Sequence, residues 1–170
     1  MKPDTNAFFL WSDQRYNDIH VDGIGHAEAI KGSNKANVNV FNFTAIGGYE
    51  DVIDCVRGKS YAFVDGELST GPNTRTFITL KGGINGVLLK NLTLVGDCKY
   101  PWDISLGDHT IYNKRKLLNQ KKIVMRGVRR ANGKPIKILV LDSEVPDCDF
   151  PVKIYRLPKF LLRIWFWILN

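Results

Sequence analysis

Lys31, Arg57 and Lys81 recur about 25 residues apart, each followed by a glycine, and Glu28 and Asp54 stand three residues ahead of the first two. If the chain coils so that these positions stack, the cations lie about 5 Å apart and repel unless an anion or a carboxylate interleaves. Two chemistries fit. Lys31, Arg57 and Lys81 could line a strip for an anionic polymer, or Glu28 and Asp54 could neutralise them at a bend. Glu28 and Asp54 also read in step with Ile78 and Ile104. If that column points inward, both acids are buried and must be paired or protonated. His26 and His109 are lone histidines with no second ligand at metal spacing, and Cys55, Cys98 and Cys148 are an odd set without CxxC spacing. They read as reduced core thiols, and neither a metal nor a cofactor is expected.

The elements that must position these residues come from a repeat. Short runs with apolar residues two apart occur at Ile19, Val38, Tyr61, Val87, Ile123 and Val152. Such alternation marks a half-buried strand. Inside or just after these runs falls a bend column of Gly23, Asn42, Asp65, Asn91 and Gly127. These residue types tolerate left-handed backbone or bond their own main chain. A second strand recurs as Ala29-Ile30-Lys31-Gly32, Cys55-Val56-Arg57-Gly58, Thr79-Leu80-Lys81-Gly82 and Ser105-Leu106-Gly107-Asp108, and more loosely from Ile136 to Leu141. A period of this size with short β-rich runs and no helical pattern predicts an all-β parallel β-helix. Six turns about 4.8 Å apart give a rod roughly 29 Å long. Val40, Phe63, Leu89 and Met125 lead its core. The whole chain reads as one domain, with residues 1–16 as an N-terminal cap, 17–157 as repeat turns and 158–170 as a capping or contact strand.

Composition agrees with a packed domain: 44% apolar, 11% aromatic and 24% charged residues exclude wholesale disorder. Charge is unevenly spread. Residues 1–110 carry 10 Lys or Arg against 13 Asp or Glu, whereas 111–170 carry 14 against 4. The basic C-terminal half predicts a polyanionic or acidic partner, or else a solvated basic face. Lys114, Arg115 and Lys116 belong to the longest insertion, His109 to Lys122, and read as a basic contact loop. Asn42 and Asn91 begin glycosylation sequons, but a turn role explains them. The run Ala7 to Trp11 is too short for a signal-peptide core, so classical secretion is not expected.

The last residues, Pro158 to Leu169, hold about ten apolar positions, too few for a transmembrane helix. As a strand, this segment puts Phe160, Leu162, Ile164, Phe166 and Ile168 on one face and Leu161, Arg163, Trp165, Trp167 and Leu169 on the other. One face can cap the solenoid. The other needs cover, and Arg163, Trp165, Phe166 and Trp167 are the expected contact residues for another copy or a larger assembly, with a membrane interface as the alternative.

The stretches EDVIDCVRG, FITLKGGINGVLLKNLTLVG and DISLGD resemble the right-handed β-helices of the pectate-lyase-like superfamily, which include phage tailspikes. The likeness covers roughly residues 17–157 and implies two functions. One is a non-catalytic structural or attachment protein, a virion or phage component that sits in the cytoplasm before assembly and binds itself, a shell, or an acidic glycan. The other is a polysaccharide lyase or glycoside hydrolase. Glu50 to Cys55 resembles the paired-Asp motif of the hydrolases, which puts Asp51 and Asp54 as acid and base. The consecutive Asp pair, the Gly-His-Gly and the Arg-x-Lys of that motif are missing. For a lyase the ingredients would be Asp103, Asp108, Arg57 and Lys81, fewer oxygen ligands than a hard cation usually takes. The non-catalytic reading is preferred.

Overall fold

The computed structural model describes residues 5–107, 122–141 and 143–156. These residues form twelve strands and no helix: β1 (Asn6–Phe9), β2 (Arg15–Asp22), β3 (Glu28–Lys35), β4 (Val38–Ile46), β5 (Asp51–Ser69), β6 (Thr76–Val95), β7 (Ile104–Leu106), β8 (Ile123–Arg126), β9 (Arg129–Arg130), β10 (Ile136–Val140), β11 (Asp147–Cys148) and β12 (Val152–Arg156). Every recorded pairing is parallel. The chain is a β-solenoid of about five turns.

Two columns of stacked strands run along it. The first contains β2, β4, the second half of β5, the second half of β6, then β8 and β9, and last β11. In it Val40, Phe63, Leu89 and Met125 lie in direct register, and all four are fully buried. Burying such side chains contributes about 1.5–3 kcal/mol each, and stacking like on like is what lets one short alternating run serve as a core turn after turn. The second column contains β1, β3, the starts of β5 and β6, then β7, β10 and β12. Its spine is Phe8, Ile30, Ile53, Ile78, Ile104, Ile138 and Ile154.

Bends are columns too. Asp18, Asn42, Asp65 and Asn91 have φ of 55°, 46°, 55° and 52°, and Gly127 continues them at 60°. Asn42 donates to Asp18, and Asn91 Nδ2 donates to Asp65 Oδ1 at 2.8 Å, so the ladder is stitched by side chains as well as backbone. The turn role expected of Asn42 and Asn91 is present. Gly23 does not belong to this column: Ile19 pairs with Phe43 and Tyr16 with Val40, which puts Asp18 at the bend. The sequence pattern set the first rung five residues late, because Arg15 to Asp18 is mostly polar and the alternation there is hidden. The apparent sixth copy, Val152 to Leu157, is also reassigned: Val152–Arg156 pairs with β10 in the second column.

Candidate functional site

The residues singled out for chemistry lie on the second column, and its register decides what they do. Lys31 pairs with Asp54 and Asp54 with Thr79; Glu28 pairs with Asp51 and Asp51 with Thr76. Lys81 lies opposite Val56, which lies opposite Ser33. The expected column of Lys31, Arg57 and Lys81 therefore does not form. Glu28 and Asp54 are likewise not in step with Ile78 and Ile104; Ile30 and Ile53 hold those places. Arg57 sits at a bend, with φ of 56°, opposite Asn34 on one side and the glycine pair Gly82 and Gly83 on the other, where the register shifts. The recurring cation-glycine pair is thus three positions late in its second copy. One extra residue at the glycine pair then lengthens the spacing between β5 and β6 from 25 residues at Val56 and Lys81 to 26 at Gly58 and Ile84.

What the register builds instead is a closed cluster of charges. Asp54 is fully buried. Its Oδ2 accepts from Lys31 Nζ, one rung earlier, and from Lys81 Nζ at 3.0 Å, one rung later. Lys31 Nζ also reaches Glu28 Oε1 at 3.1 Å. Asp51 accepts from Thr76 Oγ1, which is 2.9 Å from Thr79 Oγ1. Burial, with the Asp54 charge beside it, pushes the Asp51 carboxyl up to about 7, and burial also raises Glu28. Burial pulls the two lysines down, but Asp54 outweighs it and both end above the ordinary lysine range. Three acids thus face two ammonium groups, and a proton on Asp51 brings the set to neutrality. Interleaved carboxylates neutralise Lys31 and Lys81, as the second of the two readings of these cations held, through neighbouring rungs and not at a bend.

Glu28, Asp51 and Asp54 each present an oxygen within 4.8 Å of the other two, a spacing that suits one cation. The positions around Asp54 Oδ2 are taken by Lys31 and Lys81, so the chain supplies its own cations where a metal would sit. Asp54 Oδ1 has no hydrogen-bond partner among the described residues.

The other residues expected to act are elsewhere. Arg57 is exposed and outside the cluster. Asp103 is buried and held by Arg130 Nη1 at 2.8 Å and by the Lys137 amide at 2.8 Å. Arg130 in turn donates to Asp97 and to the Gly96 carbonyl. His26 Nδ1 lies 3.0 Å from Thr5 Oγ1. Cys55 is fully buried, Cys98 and Cys148 are half-buried, and no disulfide joins the three. Asp108, His109, Lys114, Arg115, Lys116, Arg163, Trp165, Phe166 and Trp167 lie outside the described residues.

Sequence reasoning missed Thr76, Thr79 and Arg130. The two threonines stand 25 residues after Asp51 and Asp54, so the repeat period itself was the signal. Arg130 carried none, because its partners Asp97 and Asp103 precede it by about 30 residues and lie off the strand pattern.

No protein-family model, curated protein or solved structure matches this chain.

Proposed function

We propose that the chain is a non-catalytic structural or attachment protein, a short β-solenoid of the kind found in phage or virion parts, that assembles with itself or with a shell and binds an acidic or glycan partner. The observation that carries this reading is the fate of the acid and base candidates. Asp54 is fully buried between Lys31 and Lys81, and Asp51 is buried against Thr76, so the carboxylates serve each other and the fold. A polymer chain lying along the outside meets Arg57 but not the two acids. The basic half supports an anionic partner: Lys122, Arg129, Lys134, Lys153 and Arg156 are all exposed.

A polysaccharide lyase or glycoside hydrolase is the second reading. It is favoured by the carboxyl of Asp51, raised to about 7 by burial, the range in which a general acid or base works. One pair of measurements separates the two. Solution mass by light scattering, run beside a panel of acidic polysaccharides, should give a mass above that of one chain and no turnover. Cleavage lost in both Asp54→Asn and Arg57→Ala would replace the structural reading with the enzymatic one.

A further inference from the structure

The charged cluster of the second column brings an amine, a carboxylate and a further acid into contact, and such a set can react with itself. Lys31 and Asp54 are direct cross-strand partners on β3 and β5. Lys31 Nζ donates to Asp54 Oδ2 and stands 3.1 Å from Glu28 Oε1. From the next rung Lys81 Nζ holds the same Oδ2 at 3.0 Å. One oxygen of Glu28 and one of Asp54 lie within 4.8 Å of each other. Asp54 Oδ1, on a fully buried side chain, has no hydrogen-bond partner among the described residues. A buried polar atom in that state is costly, and the two ion pairs at Oδ2 do not relieve it.

From this geometry we propose that Lys31 and Asp54 condense into an isopeptide bond, a covalent staple between β3 and β5. The ion pair described above is its precursor. Lys31 Nζ bonds to Asp54 Cγ, the bond from Cγ to Oδ1 breaks, and Oδ1 departs as water. Of the three ammonium protons, one stays on the amide nitrogen and two leave with the oxygen. Charge balances too, since one cation and one anion become a neutral amide and water. The step needs no oxidant, reductant or activating group.

The neighbours supply what the step requires. An ammonium becomes a nucleophile only when it gives up a proton. Glu28 is placed to take that proton from Lys31 and pass it to the departing Oδ1, and burial raises its carboxyl so that it can carry one. Lys81 stays an ammonium and steadies the negative charge that gathers on Oδ2 as the nitrogen adds. Among the described residues Lys31, and not Lys81, has a second acid within hydrogen-bond reach, which makes Lys31 the nucleophile. Bulk water opposes amide formation, but here the reacting groups are held in contact and Asp54, Thr76 and Thr79 are shielded from solvent. Condensation leaves one carbonyl oxygen, already held by Lys81, and removes the unpartnered Oδ1. Asp51 keeps the burial that is the largest cause of its raised carboxyl. The bond forms within one chain and is independent of assembly.

The test is the mass of the full chain. After incubation in the folded state, wild type should be lighter than its sequence mass by one water, and a tryptic map should contain a branched peptide in which Lys31 carries Asp54. Lys31→Arg keeps the charge but has no nucleophilic amine, so it should retain the full mass. Glu28→Gln should condense about tenfold or more slowly. Circular dichroism first checks that both variants fold; where Lys31→Arg does not, the branched peptide of wild type decides. A folded wild type that keeps its full mass would overturn the bond. So would a lost water with Lys31 free, as cyclisation of an aspartate gives, or a link that starts from Lys81. Condensation of Glu28→Gln at the wild-type rate would overturn the part given to Glu28.

Discussion

Asp54 shows how a residue's chemistry follows from its rung. Unpaired, a buried carboxylate costs several kcal/mol; between Lys31 and Lys81 it becomes the centre of a cluster that ties three consecutive rungs together. Asp51 is the member whose charge the cluster does not need. It faces Asp54, Glu28 and Glu50 as like charges, Lys81 as the opposite charge and Thr76 as a donor. Its carboxyl titrates near 7 when folded against 3.8 ordinarily, so between those values the folded chain holds a proton that the unfolded chain has lost. The stabilisation from that proton is complete below pH 4, declines as pH rises, and is gone above pH 7. Three units at 1.36 kcal/mol each make the effect on the order of 4 kcal/mol. Urea unfolding at pH 4 and pH 7 should therefore show wild type losing stability relative to Asp51→Asn, which stays neutral throughout. A wild-type-to-variant difference that is the same at both pH values would mean that Asp51 is ionised in the fold.

Strands in this protein are held in step by what lies between them. The column Asp18, Asn42, Asp65, Asn91 and Gly127 places a left-handed residue at the same point of successive rungs. Asparagine and aspartate bear that conformation at less cost than other side chains, and their amides and carboxylates bridge to the next rung. At Gly127 an added Cβ would lie 2.7 Å from Asn91 Oδ1, so the column closes on glycine for space as well as for φ. Asn91→Ala removes the bond to Asp65 and keeps the backbone strain; it should cost roughly 1–2 kcal/mol. Asn91→Gly loses the same bond but relieves the strain, and should cost less. Chemical denaturation of the two variants compares them directly, and an alanine variant as stable as the glycine one would remove the left-handed conformation as the reason for the column. The half of the second column near Arg57 obeys a different rule. Asn34, Arg57 and Gly82 share a left-handed bend, and of these only the arginine does not look like a turn in the sequence. The arginine hid the bend, and that is why the cation strip looked regular.

Over the whole molecule, stability is a sum along the stack, since each rung touches only its neighbours. A charge in the middle of the core has no route to water. Leu89 is fully buried with Phe63 on one side and Met125 on the other, so Leu89→Asp should leave no cooperative unfolding transition by circular dichroism. A folded Leu89→Asp protein would mean that the register is wrong. What the sequence by itself determined was the architecture and the middle rungs of the first column, those of Val40, Phe63, Leu89 and Met125: alternating runs at a period near 25, with Asn, Asp and Gly at the bends, are local signals that repeat turn after turn. The basic half is equally plain from composition. Tertiary structure alone decided the register of the second column, and with it the candidate site. There the spacing between stacked positions varies, 23 residues from Lys31 to Asp54, 25 from Asp54 to Thr79 and 26 from Gly58 to Ile84, the last change falling at Arg57 and the glycine pair. Each rung's run looks acceptable in several alignments, and a slip of one residue turns every side chain to the other face. The buried spine of Ile30, Ile53, Ile78 and Ile104 picks the alignment, because only that register stacks isoleucine on isoleucine. Lys31 then falls on Asp54, and two of the three cations that read as an open strip, Lys31 and Lys81, close on a buried carboxylate while Arg57 stays outside.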